Sequence, residues 1–443
     1  MAIIPVTPAT ISTGINSAQA GDVIELGPGT YPSLPRRSGL AYRAQDAGEP
    51  GRAVKDVRGH LGQGFGVRVT DYMGGSYSGT TFEGIFFDAR EQPSSRGINW
   101  ALLTGTGDVG FIDCSFTDRP EDGGRRIGIT PLGGSAPFDG LVIERCRFYR
   151  TGKFKDTHDH PLYLKRARNV RVVDSIFHDA GWFTLHLYPD CDDSRFERLV
   201  IWASGSAVAF SAENSGANPS AGITGASERN ILSGSILGAG HGRPGGQSGG
   251  GGFLVESYAP SAGPRPVGNI VERCFLTRFG GTAQLVQPGI SDRVALADVT
   301  LSDADPGFSD LVNGDFRLRA GAAALGFGPS YIQPQGAPPP SEEPPPPPPD
   351  PEPEPEPPPP DPEPEPEPPA PSNPHRISPA LKDAISDMAL RRMDQQTGRA
   401  EALAQFLERK GHLRRAELTR EIGGNAARYL TELADLLAGS EDA

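Results

Sequence analysis

Eight segments of this chain repeat one spacing, and that repeat limits the fold more than any other feature. They are "TFEGIFFD", "GFIDCSFTD", "VIERCRFYR", "RVVDSIFHD", "RFERLVIWA", "ILSGSILGA", "IVERCFLTR" and "ALADVTLSD". In each, an apolar residue is followed three positions later by a small or apolar one, and two later by a second apolar one. The triplets are Phe82/Ile85/Phe87, Phe111/Cys114/Phe116, Ile143/Cys146/Phe148, Val172/Ser175/Phe177, Phe196/Leu199/Ile201, Leu232/Ser235/Leu237, Val271/Cys274/Leu276 and Leu296/Val299/Leu301. Their first members are 29, 32, 29, 24, 36, 39 and 25 residues apart. A floor near 24 with variable excess describes a coil of short strands whose turns differ in the loops that leave them. One turn cannot bury its apolar face alone, so the turns must stack, with Cys114 directly over Cys146.

A second set of strands precedes several repeats: "PLYLKR", "TLHLYPD", "AVAFSAE" and "GFLVESY". Side-chain alternation puts Leu162/Leu164, Leu185/Leu187, Val208/Phe210 and Phe253/Val255 inside. The other face then turns Tyr163/Lys165, His186/Tyr188, Ala209/Ser211 and Leu254/Glu256 to solvent. Turns about 4.8 Å apart would stack Tyr163 and Lys165 on His186 and Tyr188. The dense motif "DTHDHPLYLKR" is divided by this reading, with His160 in the loop that leads into the strand.

This outward patch suits glycans. Tyr163, Tyr188 and Trp182 offer ring faces to sugars, although Trp182 in "HDAGWF" reads more readily as a packed turn residue. Lys165 and Arg166 can neutralise a uronate carboxylate, and His186, Tyr163, His160 or a lysine can take the proton in a β-elimination. Asp190 and Glu256 are further substrate contacts. Hydrolysis would need two carboxylates at a set separation, and Asp159, Asp190, Glu213 and Glu256 are available without an evident pairing. Asp190, Asp192 and Asp193 in "YPDCDD" supply the oxygens that calcium takes, although an aspartate-rich turn explains them equally. No other cofactor is implied. Cys114, Cys146, Cys191 and Cys274 lack a zinc spacing and read as buried free thiols.

The chain's ends carry a resemblance. "TPATISTGINSAQA" places Ile11, Ile15 and Ala18 at helical spacing before a strand "DVIEL" and a turn "GPGTY", and the coil finishes with "DPGFSDLVNGDFRLRAGAAALGFG". These resemble the end segments of right-handed parallel β-helix proteins of the pectin-lyase-like superfamily, over about residues 5 to 328. The resemblance implies an all-β, right-handed parallel β-helix (solenoid) with an N-terminal cap. It says little of activity, because that superfamily spans lyases, hydrolases, epimerases and phage tailspikes. The ending "GDFRLRAGAAALGFG" is also similar to family 6 polysaccharide lyases, which imply a lysine base and an arginine on a groove. Lys165 and Arg166 match those by type, although adjacent strand residues point to opposite sides.

Composition divides the chain at its C-terminal side. Residues 338–374 hold 23 prolines and read as an extended polyproline II spacer, on the order of 100 Å at about 3.1 Å per residue. Residues 375–443 have helical periodicity and read as a small α-helical attachment or oligomerisation domain, and residues 1–337 hold the coil. The formal charge of −13 includes ten acids between Ser341 and Ala370, which leaves about −3 (13 less 10) on the rest. "RAELTREIGGNAARYLTEL" is similar to a helix-turn-helix, but residues 375–443 balance 11 basic against 11 acidic residues. No nucleic-acid partner is therefore expected, and no apolar run suggests membrane insertion. "MAIIPVTPAT" does not read as a secretion signal.

The expectation from sequence is a virion-associated phage tail protein whose β-helix binds, and in one version cuts, host-surface polysaccharide. Its C-terminal helices would join other tail proteins and support a homotrimer. The alternative is a secreted polysaccharide lyase, extracellular or on a bacterial surface. A cytoplasmic regulator is a third reading.

Overall fold

Eight apolar triplets in register need a scaffold that brings each turn back to the same place, and parallel strands do so. The computed structural model describes residues 1–334 except 56–60, 71–72, 91–97, 105–106, 119–125, 132–135, 153–159, 214–223, 242–251 and 261–262. The spacer, the C-terminal helical region, Asp159 and most of the glycine stretch "HGRPGGQSGGGGF" lie outside the described residues.

The chain passes in rotation through three parallel sheets. Phe138–Glu144 belongs to sheet A, Arg147–Tyr149 to sheet B and Leu162–Leu164 to sheet C. The next turn repeats this with Arg171–Val173, Ile176–His178 and Phe183–Leu187. The described structure is thus nearly all β, built by stacking turns. Its antiparallel strand pair is Phe308–Asp310 with Asp315–Leu318.

The repeat dictates the register. Phe82, Phe111, Ile143, Val172, Phe196, Leu232, Val271 and Leu296 are successive partners along sheet A. Phe87, Phe116, Phe148, Phe177, Ile201, Leu237, Leu276 and Leu301 are successive partners along sheet B. Four phenylalanines stack in that second column with centroids 4.8, 4.4 and 4.6 Å apart. Such pairs contribute roughly 0.5–1.5 kcal/mol each beyond the area they bury.

The corner between sheets A and B needs one left-handed residue per turn. Gly84, Asp113, Arg145, Asp174, Arg198, Gly234, Arg273 and Asp298 fill it, with φ from 48° to 69°. Glycine, asparagine and aspartate tolerate this region most easily. Two of the three arginines here are held by ion pairs to the turn before, Arg145 to Asp113 at 3.1 Å and Arg198 to Asp174 at 2.8 Å, and Arg273 pairs with its neighbour Glu272 at 3.1 Å. Behind each corner sits the middle member of the triplet. The hydroxyl of Ser175 donates to Val173 O and accepts from Cys146 N–H, and Ser235 does the same with Ser233 O and Leu199 N–H. A small polar residue here therefore satisfies buried backbone groups. All four cysteines are buried and free.

The N-terminal end is covered as expected. Helix α1, Ile11–Ser17, buries Ile11 and Ile15, and Ala18 follows them into the core. The ending behaves differently. After Ser302 the chain turns back along the outer face of sheet B, where Phe308, Phe316 and Leu318 pack on Ile176, Val200, Trp202, Ile236 and Phe275. That outer face is apolar and needs a cover, which explains why the segment lies along the side. Arg147 is buried beneath it, donating to His178 Nε2 at 3.2 Å and to Gly314 O. Among the described residues, no helix is long and apolar enough to cross a membrane.

Candidate functional site

Sheet C carries the residues expected to do chemistry, so its outer face is the place to look. Tyr163 is the register partner of His186, with Leu162 on Leu185 and Leu164 on Leu187, as alternation requires. One strand departs from expectation. Val208 pairs with Val255 and Phe210 with Ser257, two residues from the sequence alignment of these strands. A slip of two keeps the same face inward, so the apolar pattern could not detect it. Glu256 consequently sits beside Ala209.

The expectation that this whole face meets solvent is overturned. Glu256 is 0% exposed and Asp190 1%, while Trp182, at 1%, is packed as a turn residue. Ala209, Ser211 and Leu254 are buried as well. Trp182 packs with Phe183 and Ala209, with Tyr258 against them, forming a small apolar cluster outside the main core. Neither Trp182 nor Glu256 presents itself to a ligand. Asp190 holds a turn, since its Oδ1 accepts from Gly225 N–H at 2.7 Å and from the Thr224 hydroxyl at 3.4 Å.

Two of the three acids of the calcium reading are engaged by the protein itself. Asp192 accepts from Glu228 N–H, and Asp193 is bidentate with Arg229 at 2.7 and 3.0 Å. These oxygens are committed to backbone and arginine. Among the described residues, no group of three or more His, Cys, Asp and Glu is placed to hold a metal ion.

What does assemble is a histidine–aromatic cluster. His160 Nε2 and His186 Nδ1 lie 3.1 Å apart, with ring centroids at 4.5 Å. His160 is 4% exposed and His186 9%. Tyr163 lies over both, its centroid 5.5 Å from His160 and 5.1 Å from His186. Tyr188 extends the row at 5.3 Å from His186 and 6.2 Å from Tyr163, while Phe183 and Tyr258 close the other side. Tyr163 and Tyr188 remain partly exposed. The face is therefore two accessible tyrosines backed by a buried histidine pair.

The chemistry follows from charge and burial. One histidine must donate and the other accept across the 3.1 Å contact, so the pair cannot hold both rings fully protonated without breaking it. Burial pushes the Tyr163 hydroxyl well up, with Tyr188 and Glu213 adding to the effect. Burial likewise pushes Tyr188 up to about 12, helped by its hydrogen bond to the Glu213 carboxylate. Both tyrosines are thus neutral donors near pH 7, poor bases and good sugar platforms. Lys165 continues the strand and is half-buried. Arg166 occupies a left-handed corner at φ 51°, where its backbone N–H donates to Pro189 O. It lies beyond the alternating strand, so the two cations are not presented as a pair on the row.

Sequence reasoning missed Phe183 and Tyr258 as part of this cluster. The signal was faint: each lies at a strand end, where alternation no longer tells direction.

No family model matches the chain, and no curated protein matches it. Among solved structures, it is similar to the alginate lyase from Paenibacillus sp. str. FPU-7, with 12% sequence identity and a TM-score of 0.32, over 68% of this chain and 99% of that one.

Proposed function

We propose that this chain is a virion-associated tail protein whose right-handed parallel β-helix binds host-surface polysaccharide along the outer face of sheet C. The observation that carries the reading is the pair of partly exposed tyrosines on successive turns, Tyr163 and Tyr188, with ring centroids 6.2 Å apart. Aromatic faces repeated at that pitch on a rigid sheet offer stacking surfaces to a chain of sugar rings. The Tyr163 hydroxyl adds a donor, and Lys165 adds a positive charge suited to an acidic sugar. The proline-rich spacer and the helical periodicity of residues 375–443 suit a binding head tethered to a larger assembly.

Binding is favoured over cleavage because the tyrosines are poor bases and the histidine pair is nearly enclosed. A second reading, a polysaccharide lyase, rests on that same histidine pair, whose shared proton site could receive a proton during β-elimination. Affinity electrophoresis of the full chain in gels containing uronate-rich or neutral polysaccharides tests binding. Tyr163→Ala and Tyr188→Ala should each lower the affinity by about tenfold, at roughly 1–2 kcal/mol per stacked ring. Equal retardation of both variants and the parent would remove the face from consideration. Ultraviolet absorbance of unsaturated product decides whether cleavage accompanies binding, and mass spectrometry of purified particles decides whether the protein belongs to a virion.

A further inference from the structure

After Ser302 the chain becomes a strap over the outer face of sheet B. One end is tied where the Thr277 hydroxyl donates to Ala304 O at 2.8 Å, and the other where Gly328 N–H donates to Gly234 O at 2.7 Å. Between these ties the hairpin of residues 308–318 lies on Ile176, Val200, Trp202, Ile236 and Phe275.

Apolar contact accounts for most of that cover, yet the coil sets a guanidinium and an imidazole beneath it. Arg147 is 1% exposed and His178 6%. Arg147 donates to the backbone oxygen of Gly314, in the turn of the hairpin, and through Nε to His178 Nε2 at 3.2 Å. Phe316 closes over both, with its ring centroid 4.9 Å from that of His178 and 5.6 Å from the guanidinium carbon.

The bond between Arg147 and His178 can run in one direction only. A guanidinium has no acceptor, so the lone pair belongs to His178 Nε2, and that nitrogen carries no proton while the strap is closed. A proton arriving there removes the acceptor, turns one N–H against another and puts a second cation beside a buried first one. The neighbouring elements do not offset it. The preceding strand, Arg147–Tyr149, presents Arg147 itself and the Tyr149 ring at 4.5 Å. The following strand presents Trp202, the register partner of His178, which bears no charge. Asp179, next in the chain, pairs with Arg150 at 3.6 Å, and Asp118 accepts from Gly152 N–H at 2.7 Å. In the strap, Asp315 is held by Arg317 at 2.5 Å, Asp305 by Arg319 at 2.9 Å and Asp310 by Asn313 at 2.5 Å.

We infer that Arg147 and His178 form an acid-released latch: protonation of His178 frees the hairpin and uncovers the apolar strip of Ile176, Val200 and Ile236. Opening takes up one proton, so the closed strap is favoured at high pH and loses ground as pH falls below about 6.5, the ordinary imidazole value. The coil beneath keeps its form, because its strands are paired through the backbone on both sides. The strap is thus a two-state element biased by a single proton.

Hydrogen exchange of the full chain between pH 7 and pH 5, corrected for intrinsic rates, tests this. Protection of the Asp315–Leu318 amides should fall by up to about tenfold per pH unit, as uptake of one proton requires, while Ser115–Thr117 in the same sheet holds its protection. A dye that fluoresces in apolar surroundings should bind over the same range with unchanged far-ultraviolet circular dichroism. His178→Gln keeps an acceptor that does not titrate, and should show neither change. In the parent itself, the ring resonances of His178 should titrate in step with the loss of protection, a readout that needs no substitution. Strap protection that ignores pH overturns the inference, as do His178 resonances that titrate out of step with it. An equal loss in His178→Gln also overturns it, by assigning the proton to another group.

Discussion

Replacing Phe148 by alanine tests whether the stacked column holds the coil together. Phe148 is buried between Phe116 and Phe177, with centroids 4.4 and 4.6 Å away and rings within 5° and 11° of parallel. Its neighbours are fixed by backbone pairing on both sides, so they cannot move in to fill the space. Buried Phe→Ala changes cost about 3–5 kcal/mol, more where the site cannot collapse. The upper half of that range is expected here, about 4 kcal/mol. Phe148→Leu restores most of the volume without the ring and should cost only about 1–1.5 kcal/mol. Guanidinium titration of the full chain, followed by intrinsic fluorescence, measures both. In a stacked array each turn contacts only its neighbours. Hydrogen exchange should therefore loosen first in Ser115–Thr117 and Ile176–His178. A Phe148→Ala cost below about 2 kcal/mol, or equal costs for both variants, would refute the reasoning.

Asp192 supplies a pH prediction. Burial pushes its carboxyl up to about 7, against the opposing pull of Arg229 at 4.0 Å. A folded pKa above the unfolded one means that the folded state holds the proton more tightly. The contribution to stability is thus complete below about pH 4 and is lost as pH rises through about 7. Asp192→Asn keeps an oxygen for Glu228 N–H and removes that loss. Its stability relative to the parent should rise between pH 5 and pH 8, on the order of 2 kcal/mol, and a flat difference in denaturation midpoints would contradict this. The thiols give a second test. Cys146, Cys191 and Cys274 are all raised by burial, so none should react with a thiol reagent at pH 8 in the folded chain, and all four cysteines should react after unfolding. Fast labelling of the native protein would show the interior to be open.

The candidate site was legible in part. Tyr163, His186 and Tyr188 were readable because the period of a strand is two, and a short strand between two leucines leaves its middle residue one direction. His160 sat in a loop with no periodicity, and its bond to His186 could not be foreseen. Asp190 and Glu256 looked available only because a polar residue on an outer face is normally wet. Packing among Trp182, Phe183, Ala209 and Tyr258 made that side of sheet C an interior of its own.

By itself the sequence determined the architecture's repeat. Apolar residues spaced three and two apart fit one corner geometry, and eight copies of it could bury themselves only by stacking. That held from Phe82 to Leu301 with every partner in register. Tertiary structure alone decided what covers the coil. A segment such as 306–334 has no period that says which face it will meet, so its place along sheet B followed from the apolar patch offered by Ile176, Val200 and Ile236. The same holds at the far end of the coil. Leu296 and Leu301 obey the rule that buries all their predecessors, and they are exposed because, among the described residues, no further turn packs on them.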